Sequence, residues 1–202
     1  MTISQIIIIM ILASVIAALP LGLVNLSVMN ISYKKGLHSA MKVAGGAAII
    51  EIFFVLAAIF AGKLINKAVQ NSTWVQWIFI AIPVFTGLFF LWKKNRYKTT
   101  SNQNNNHFLH GLLLNIISVQ VLLFWIFAYT LINNAFPFQE NINAGVLSAI
   151  LIAVWLTKIV VLWVYAKLSH IILRKFNFIT SCINQVIGLI LIFTGILQYF
   201  KF

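Results

Sequence analysis

Six long apolar stretches, residues 5–31, 39–62, 74–92, 111–132, 145–166 and 179–200, constrain this chain more than any other feature. A bilayer core about 30 Å thick takes roughly 20 apolar residues per helix. Segments of that length in hydrocarbon must satisfy their own backbone, which a helix does without a neighbour. The stretches occupy most of the 202 residues and leave no room for a separate soluble domain. The expected fold is an all-α membrane protein of six transmembrane helices, forming a single domain over residues 1–202. Composition agrees: 62% of the residues are hydrophobic and only 8% charged, too few to clothe a soluble domain of this size.

The net charge of +12 would suggest nucleic acid in a soluble protein, but its placement points elsewhere. Lys34, Lys35 and Lys42 follow the first span, Lys93, Lys94, Arg96 and Lys98 the third, and Lys167, Arg174 and Lys175 the fifth. Those ten lie on one side, against Lys63, Lys67 and Lys201 on the other. The positive-inside rule puts the ten-charge side in the cytoplasm and both termini outside. The basic excess is then a topology signal with some affinity for anionic lipid; no nucleic-acid partner is expected. The first stretch has no Lys or Arg ahead of it and is longer than a signal-peptide core, so it reads as a retained helix. Cys182 is the sole cysteine, which leaves no disulfide framework and no cysteine-type zinc site.

A polar run at residues 93–107 reads as a cytoplasmic linker between two halves, 1–92 and 108–202. Phe85-Thr86-Gly87-Leu88 returns 108 positions later as Phe193-Thr194-Gly195-Ile196, and the same offset relates Lys67 to Lys175 and Lys93 to Lys201. Three helices per half is an odd number, so two such halves would be inverted in the membrane, a 3+3 inverted repeat.

Polar and helix-breaking residues inside the spans mark where chemistry can occur. The first span is interrupted by Pro20-Leu21-Gly22-Leu23-Val24-Asn25. Proline lacks the N–H that would bond residue 16, so carbonyls near Ile16 and Ala17 are expected to lose partners. The break is either a packing kink or a pair of half-helix ends suited to a zwitterion. The fourth span opens with Asn115, Ser118 and Gln120, which serve either helix–helix hydrogen bonds or a substrate site facing the first span. Glu51, after the small-residue run Gly45-Gly46-Ala47-Ala48, and Lys158 lie about twelve and nine residues from their cytoplasmic helix ends. That is a rise of roughly 18 and 14 Å, near the midplane. A charge there faces the bundle interior and usually works; the plainer reading is a structural ion pair. His107 and His110, spaced i, i+3, form a weak metal signal without a nearby carboxylate or cysteine. No H-E-x-x-H, G-x-S-x-G or P-loop pattern is present, so neither an enzyme nor a cofactor or resident metal is expected.

On these motifs the chain resembles the LysE/RhtB family of bacterial amino-acid exporters. The family's Pro-Gly-Pro element with a following Asn is matched by Leu21-Gly22-Leu23-Val24-Asn25, its glycine after a basic turn by Lys35-Gly36, and its helix-2 glycines by Gly45-Gly46. The family's Phe-x-x-Gly is Phe108-Leu109-His110-Gly111, while Ser118-Val119 stands where Asn-Pro is usual. Both prolines flanking Gly22 are leucine here, with Pro20 one step earlier. The resemblance implies a secondary transporter of the bacterial cytoplasmic membrane, exporting an amino acid or similar small zwitterion on an ion gradient. Substrate would be bound by Pro20, Gly22, Asn25, Asn115, Ser118 and Gln120, with Glu51 and Lys158 coupling to protons. A divalent-cation exporter, using His107 and His110, and a non-transporting membrane partner are the alternatives. The partners are then a small-molecule substrate and the lipid bilayer, and a homo-oligomer is compatible with the sequence.

The topology is checked by cysteine labelling of intact cells. Cysteines placed at Asn141 and after Phe202 should react with an impermeant reagent, and one at Asn104 should not; reaction at Asn104 contradicts the assigned orientation.

Overall fold

The structure, a computed structural model, describes residues 3–71, 106–135 and 143–174, with isolated positions within 74–92 and 185–196. The described residues form helices and no strand: α1 (Ile3–Ala18), α2 (Leu23–Lys35), α3 (Leu37–Asn71), α4 (His107–Ile117), α5 (Val119–Ala135), α6 (Ala144–Lys167) and α7 (Ser169–Arg174). Leu37–Ala61 of α3 and the whole of α6 are each long and apolar enough to cross a membrane. The pairs α1/α2 and α4/α5 meet the same test together but are bent by 72° and 61° at their breaks. Among the described residues that makes two candidate spans, or four if each bent pair is one span. The third and sixth expected spans, 74–92 and 179–200, the linker 93–105 and most of the Phe-Thr-Gly repeat lie outside the described residues. The isolated positions within those two spans, such as Trp74, Trp92, Leu189 and Phe193, are helical and exposed.

The fourth span was expected to be one helix over 111–132; instead it begins at His107 and breaks at Ser118. No proline causes this break. The Ser118 hydroxyl donates to the Leu114 carbonyl at 2.8 Å, the acceptor its own backbone N–H would use in a continuing helix. The Ser118 N–H turns instead to Asn115 O at 3.0 Å, a tighter three-residue closure. With Ser118 at ψ 59° the chain leaves the helix and restarts at Val119.

The first span breaks close to where Pro20 predicts. Ile16 O, expected to lose its partner, still accepts from the Leu19 N–H, at 3.4 Å. Side chains donate to the carbonyls of Ala18, Leu19 and Pro20, the last of which also accepts from the Gly22 N–H at 2.7 Å. The Asn25 amide donates to Ala18 O and Pro20 O, each at 2.7 Å. The Tyr165 hydroxyl of α6 donates to Leu19 O at 2.7 Å. Gly36 then joins α2 to α3 at φ 87°, a conformation only glycine adopts cheaply.

α3 is the centre of the bundle and packs against α2, α4, α5 and α6. Its crossing with α4 brings backbone onto backbone. A Cβ on Gly46 would run into the Phe108 carbonyl, and one on Gly111 into the Val43 carbonyl. A Cβ on Gly45 would meet only the edge of the Phe108 ring, at 3.9 Å. Three apolar clusters form among the described residues, the smallest around Leu21, Met29, Tyr165 and Ile172. Of the larger two, the first joins α1, α3, α5 and α6 through Met10, Val55, Trp125 and Val154; the second joins α2, α3 and α6 through Val28, Val43, Ala47 and Leu162. Phe53, Phe60, Ile152, Leu156 and Val160 face outward, as lipid-facing side chains do.

The crossing yields a paired test. Gly46→Ala should destabilise the detergent-purified protein by roughly 1–3 kcal/mol, the usual cost of overpacking. Gly45→Ala, which meets only the edge of a ring, should be neutral or slightly stabilising because alanine is the better helix former. Equal melting temperatures for the two variants would contradict the geometry.

Candidate functional site

The spacing of apolar residues places two charged side chains at the boundary between the two larger clusters. In α3, Glu51 lies one turn from Ala47 of the second cluster and one from Val55 of the first. In α6, Lys158 lies likewise between Val154 and Leu162. The two meet: Lys158 Nζ is 3.0 Å from Glu51 Oε2, with the side chains 3% and 0% exposed. Isolated, either charge would be very costly in this setting; together they neutralise, and hydrogen bonds complete the arrangement. Trp125 Nε1 of α5 donates to Glu51 Oε1 at 2.8 Å. Asn115 Nδ2 of α4 donates to Ala47 O at 2.6 Å and, more loosely, to Glu51 Oε2 at 3.4 Å. The carboxylate therefore ties α3 to α4, α5 and α6. Asn115 Oδ1 is buried and has no hydrogen-bond partner among the described residues.

The breaks form the second part of the site. Gly22 is the N-cap of α2 and gives it no side-chain cap. A Cβ at Gly22 would lie 3.3 Å from Gln120 Nε2, so the start of α2 and the start of α5 touch. Asn115, Ser118 and Gln120 lie on the connection from the ion pair to this contact, on the two sides of the α4–α5 break.

The residues singled out in the sequence thus fall into two groups. Pro20, Gly22, Asn25 and Gln120 gather at the breaks; Glu51, Lys158 and Asn115 gather at the ion pair. The amide N–H groups of Asn25 are engaged with the carbonyls of the break, and the Ser118 hydroxyl with Leu114, so these groups build the site. His110 Nε2 shares a 2.9 Å hydrogen bond with Ser27 Oγ, joining α4 to α2. Among the described residues no group of three or more His, Cys, Asp or Glu side chains could hold a metal. Sequence reasoning missed Trp125 and Tyr165. Each is a buried aromatic with a polar handle, which needs a partner inside a membrane span; that is the signal that could have found them among many aromatic residues.

The sequence model of the LysE type translocator family matches residues 15–200. No curated protein and no solved structure matches the chain.

The network makes a coupled prediction. Lys158→Met leaves a buried carboxylate without its cation and should cost about 3–5 kcal/mol, seen as a lower melting temperature and yield. Glu51→Gln added to it should restore much of that loss. Additive losses in the double variant would show that the two side chains do not interact.

Proposed function

The chain belongs to the LysE type translocator family, and from that premise we propose that it exports an amino acid or similar small zwitterion across the bacterial cytoplasmic membrane, driven by the proton gradient. The observation that carries this reading is the meeting of two broken helices, Gly22 of the first against Gln120 of the second. The first N–H groups of a helix lack intrahelical acceptors, and the positive end of its dipole suits a carboxylate. Gly22 and Gln120 line that contact. Pro20, Asn25 and Ser118 hold the breaks in shape, and Asn115 links them to Glu51. Glu51 carries the proton and Lys158 is its exchange partner. The described groups facing the carboxylate are Lys158 from α6, Trp125 from α5 and Asn115 from α4. Protonation of Glu51 releases Lys158, and the helices tied through the carboxylate then rearrange.

The arrangement of the breaks supports two inverted halves. They fall in the first member of each half, α1/α2 within 1–92 and α4/α5 within 108–202. The paired charges fall in the middle members, α3 and α6. Discontinuous helices at corresponding positions, with the site between them, are typical of inverted-repeat transporters. The ten-to-three basic asymmetry supports an orientation with both termini outside.

Counterflow of radiolabelled amino acids in proteoliposomes tests the reading. The wild type should exchange at least one zwitterion, and Gly22→Val should abolish that exchange while the protein still inserts and stays monodisperse. Already at Cβ a side chain meets Gln120 Nε2 at 3.3 Å, and the branched valine would fill the contact. Full exchange by Gly22→Val, or none of any zwitterion by the wild type, contradicts the proposal.

A further inference from the structure

Glu51 is held in an orientation that presents one oxygen to an ammonium group. Trp125 fixes Oε1, and Oε2 faces Lys158. Beside it, Asn115 is turned by its short bond to Ala47 O, which leaves Oδ1 as a second acceptor, buried and unpartnered among the described residues. An ammonium carries three N–H donors, so the local chemistry has acceptors to spare on the Glu51 side. Lys158 reaches the carboxylate on a flexible four-carbon stem, so its head can move while α6 stays in place.

A small zwitterion bears the same two groups that meet here, an ammonium and a carboxylate. Inserting it between Glu51 and Lys158 replaces one ion pair by two: its ammonium on Glu51 Oε2 and Asn115 Oδ1, its carboxylate on Lys158 Nζ. No charge is left uncompensated in the low-dielectric interior. An amine or a carboxylic acid alone would strand Lys158 or Glu51. We propose that the Glu51–Lys158 pair is the binding clamp for both charges of the substrate, closed on itself when empty. The ligand class is a zwitterion with a primary ammonium, and Asn115 is its third contact. This rests on the zwitterion-transport reading and deepens it: the helix ends at the Gly22–Gln120 contact attract the substrate's carboxylate on its way, and both of its charges are then bound at the Glu51–Lys158 pair. It also makes exchange obligatory, because proton and substrate ammonium compete for one carboxylate.

The test is binding in detergent, by calorimetry, which is read apart from transport. Propylammonium and propionate serve as probes, against wild type, Lys158→Met, Glu51→Gln and the double variant. The clamp predicts a crossed pattern. Lys158→Met, whose methionine fills the space of the lysine stem, should bind propylammonium about tenfold or more tighter than wild type does, and propionate no better. Glu51→Gln should gain affinity for propionate and none for propylammonium, and the double variant should gain neither. If a single variant does not survive purification alone, the probes are added during extraction. Folded yield should then rise with propylammonium for Lys158→Met and with propionate for Glu51→Gln. Absence of the crossed pattern in affinity or yield overturns the clamp, even if wild type transports amino acids. The crossed pattern without transport would instead retain the clamp and refute the exporter.

Discussion

An ion pair from which solvent is excluded on both sides holds this bundle in one arrangement. Glu51 and Lys158 come from two different long helices, and the carboxylate also accepts from Trp125 and Asn115. Four helices are thus tied to a single group. Such a pair adds little net stability compared with apolar residues of the same volume, since desolvation offsets most of the attraction. What it supplies is dependence: remove or neutralise one member, and the rest must reorganise to compensate the other. A polar centre of this kind between two apolar clusters is poorly explained by packing alone and well suited to a protein that changes shape when a charge arrives.

The breaks show how irregular backbone is tolerated at the depth of a membrane. Three carbonyls at the break find side-chain donors, two of them in Asn25 and one in Tyr165 across the bundle. The second break needs no proline, because the Ser118 hydroxyl takes the helical acceptor from its own N–H. A serine thus ends α4 at the point where the resemblance leads one to expect Asn-Pro. The close α3–α4 crossing at Gly46 and Gly111 then seats Asn115 against Ala47 and Glu51. The Phe-x-x-Gly and Gly-Gly elements are two sides of that one contact.

What could be read from the sequence follows from what each signal depends on. The membrane helices expected at 39–62 and 145–166 correspond to Leu37–Ala61 and Ala144–Lys167, because length and apolarity are properties of a continuous segment. Glu51 and Lys158 stood out because charges are rare in such segments. Pro20 announced its break, although Ile16 O keeps a partner because the Leu19 N–H closes the preceding turn. Ser118 gave no warning: a serine breaks a helix only when its hydroxyl competes for the backbone acceptor, and that depends on surroundings. The bond from Tyr165 to Leu19 spans 146 positions and has no local signature, and Trp125 was one of six tryptophans until its indole N–H was seen on the carboxylate.

The central claim is that turnover requires the carboxylate of Glu51 to part from Lys158. Proton flux answers it most directly, with purified protein in proteoliposomes carrying an internal pH indicator and a substrate gradient imposed. The account predicts substrate-driven proton movement in the wild type and none in Glu51→Gln. Undiminished proton coupling in Glu51→Gln would contradict it.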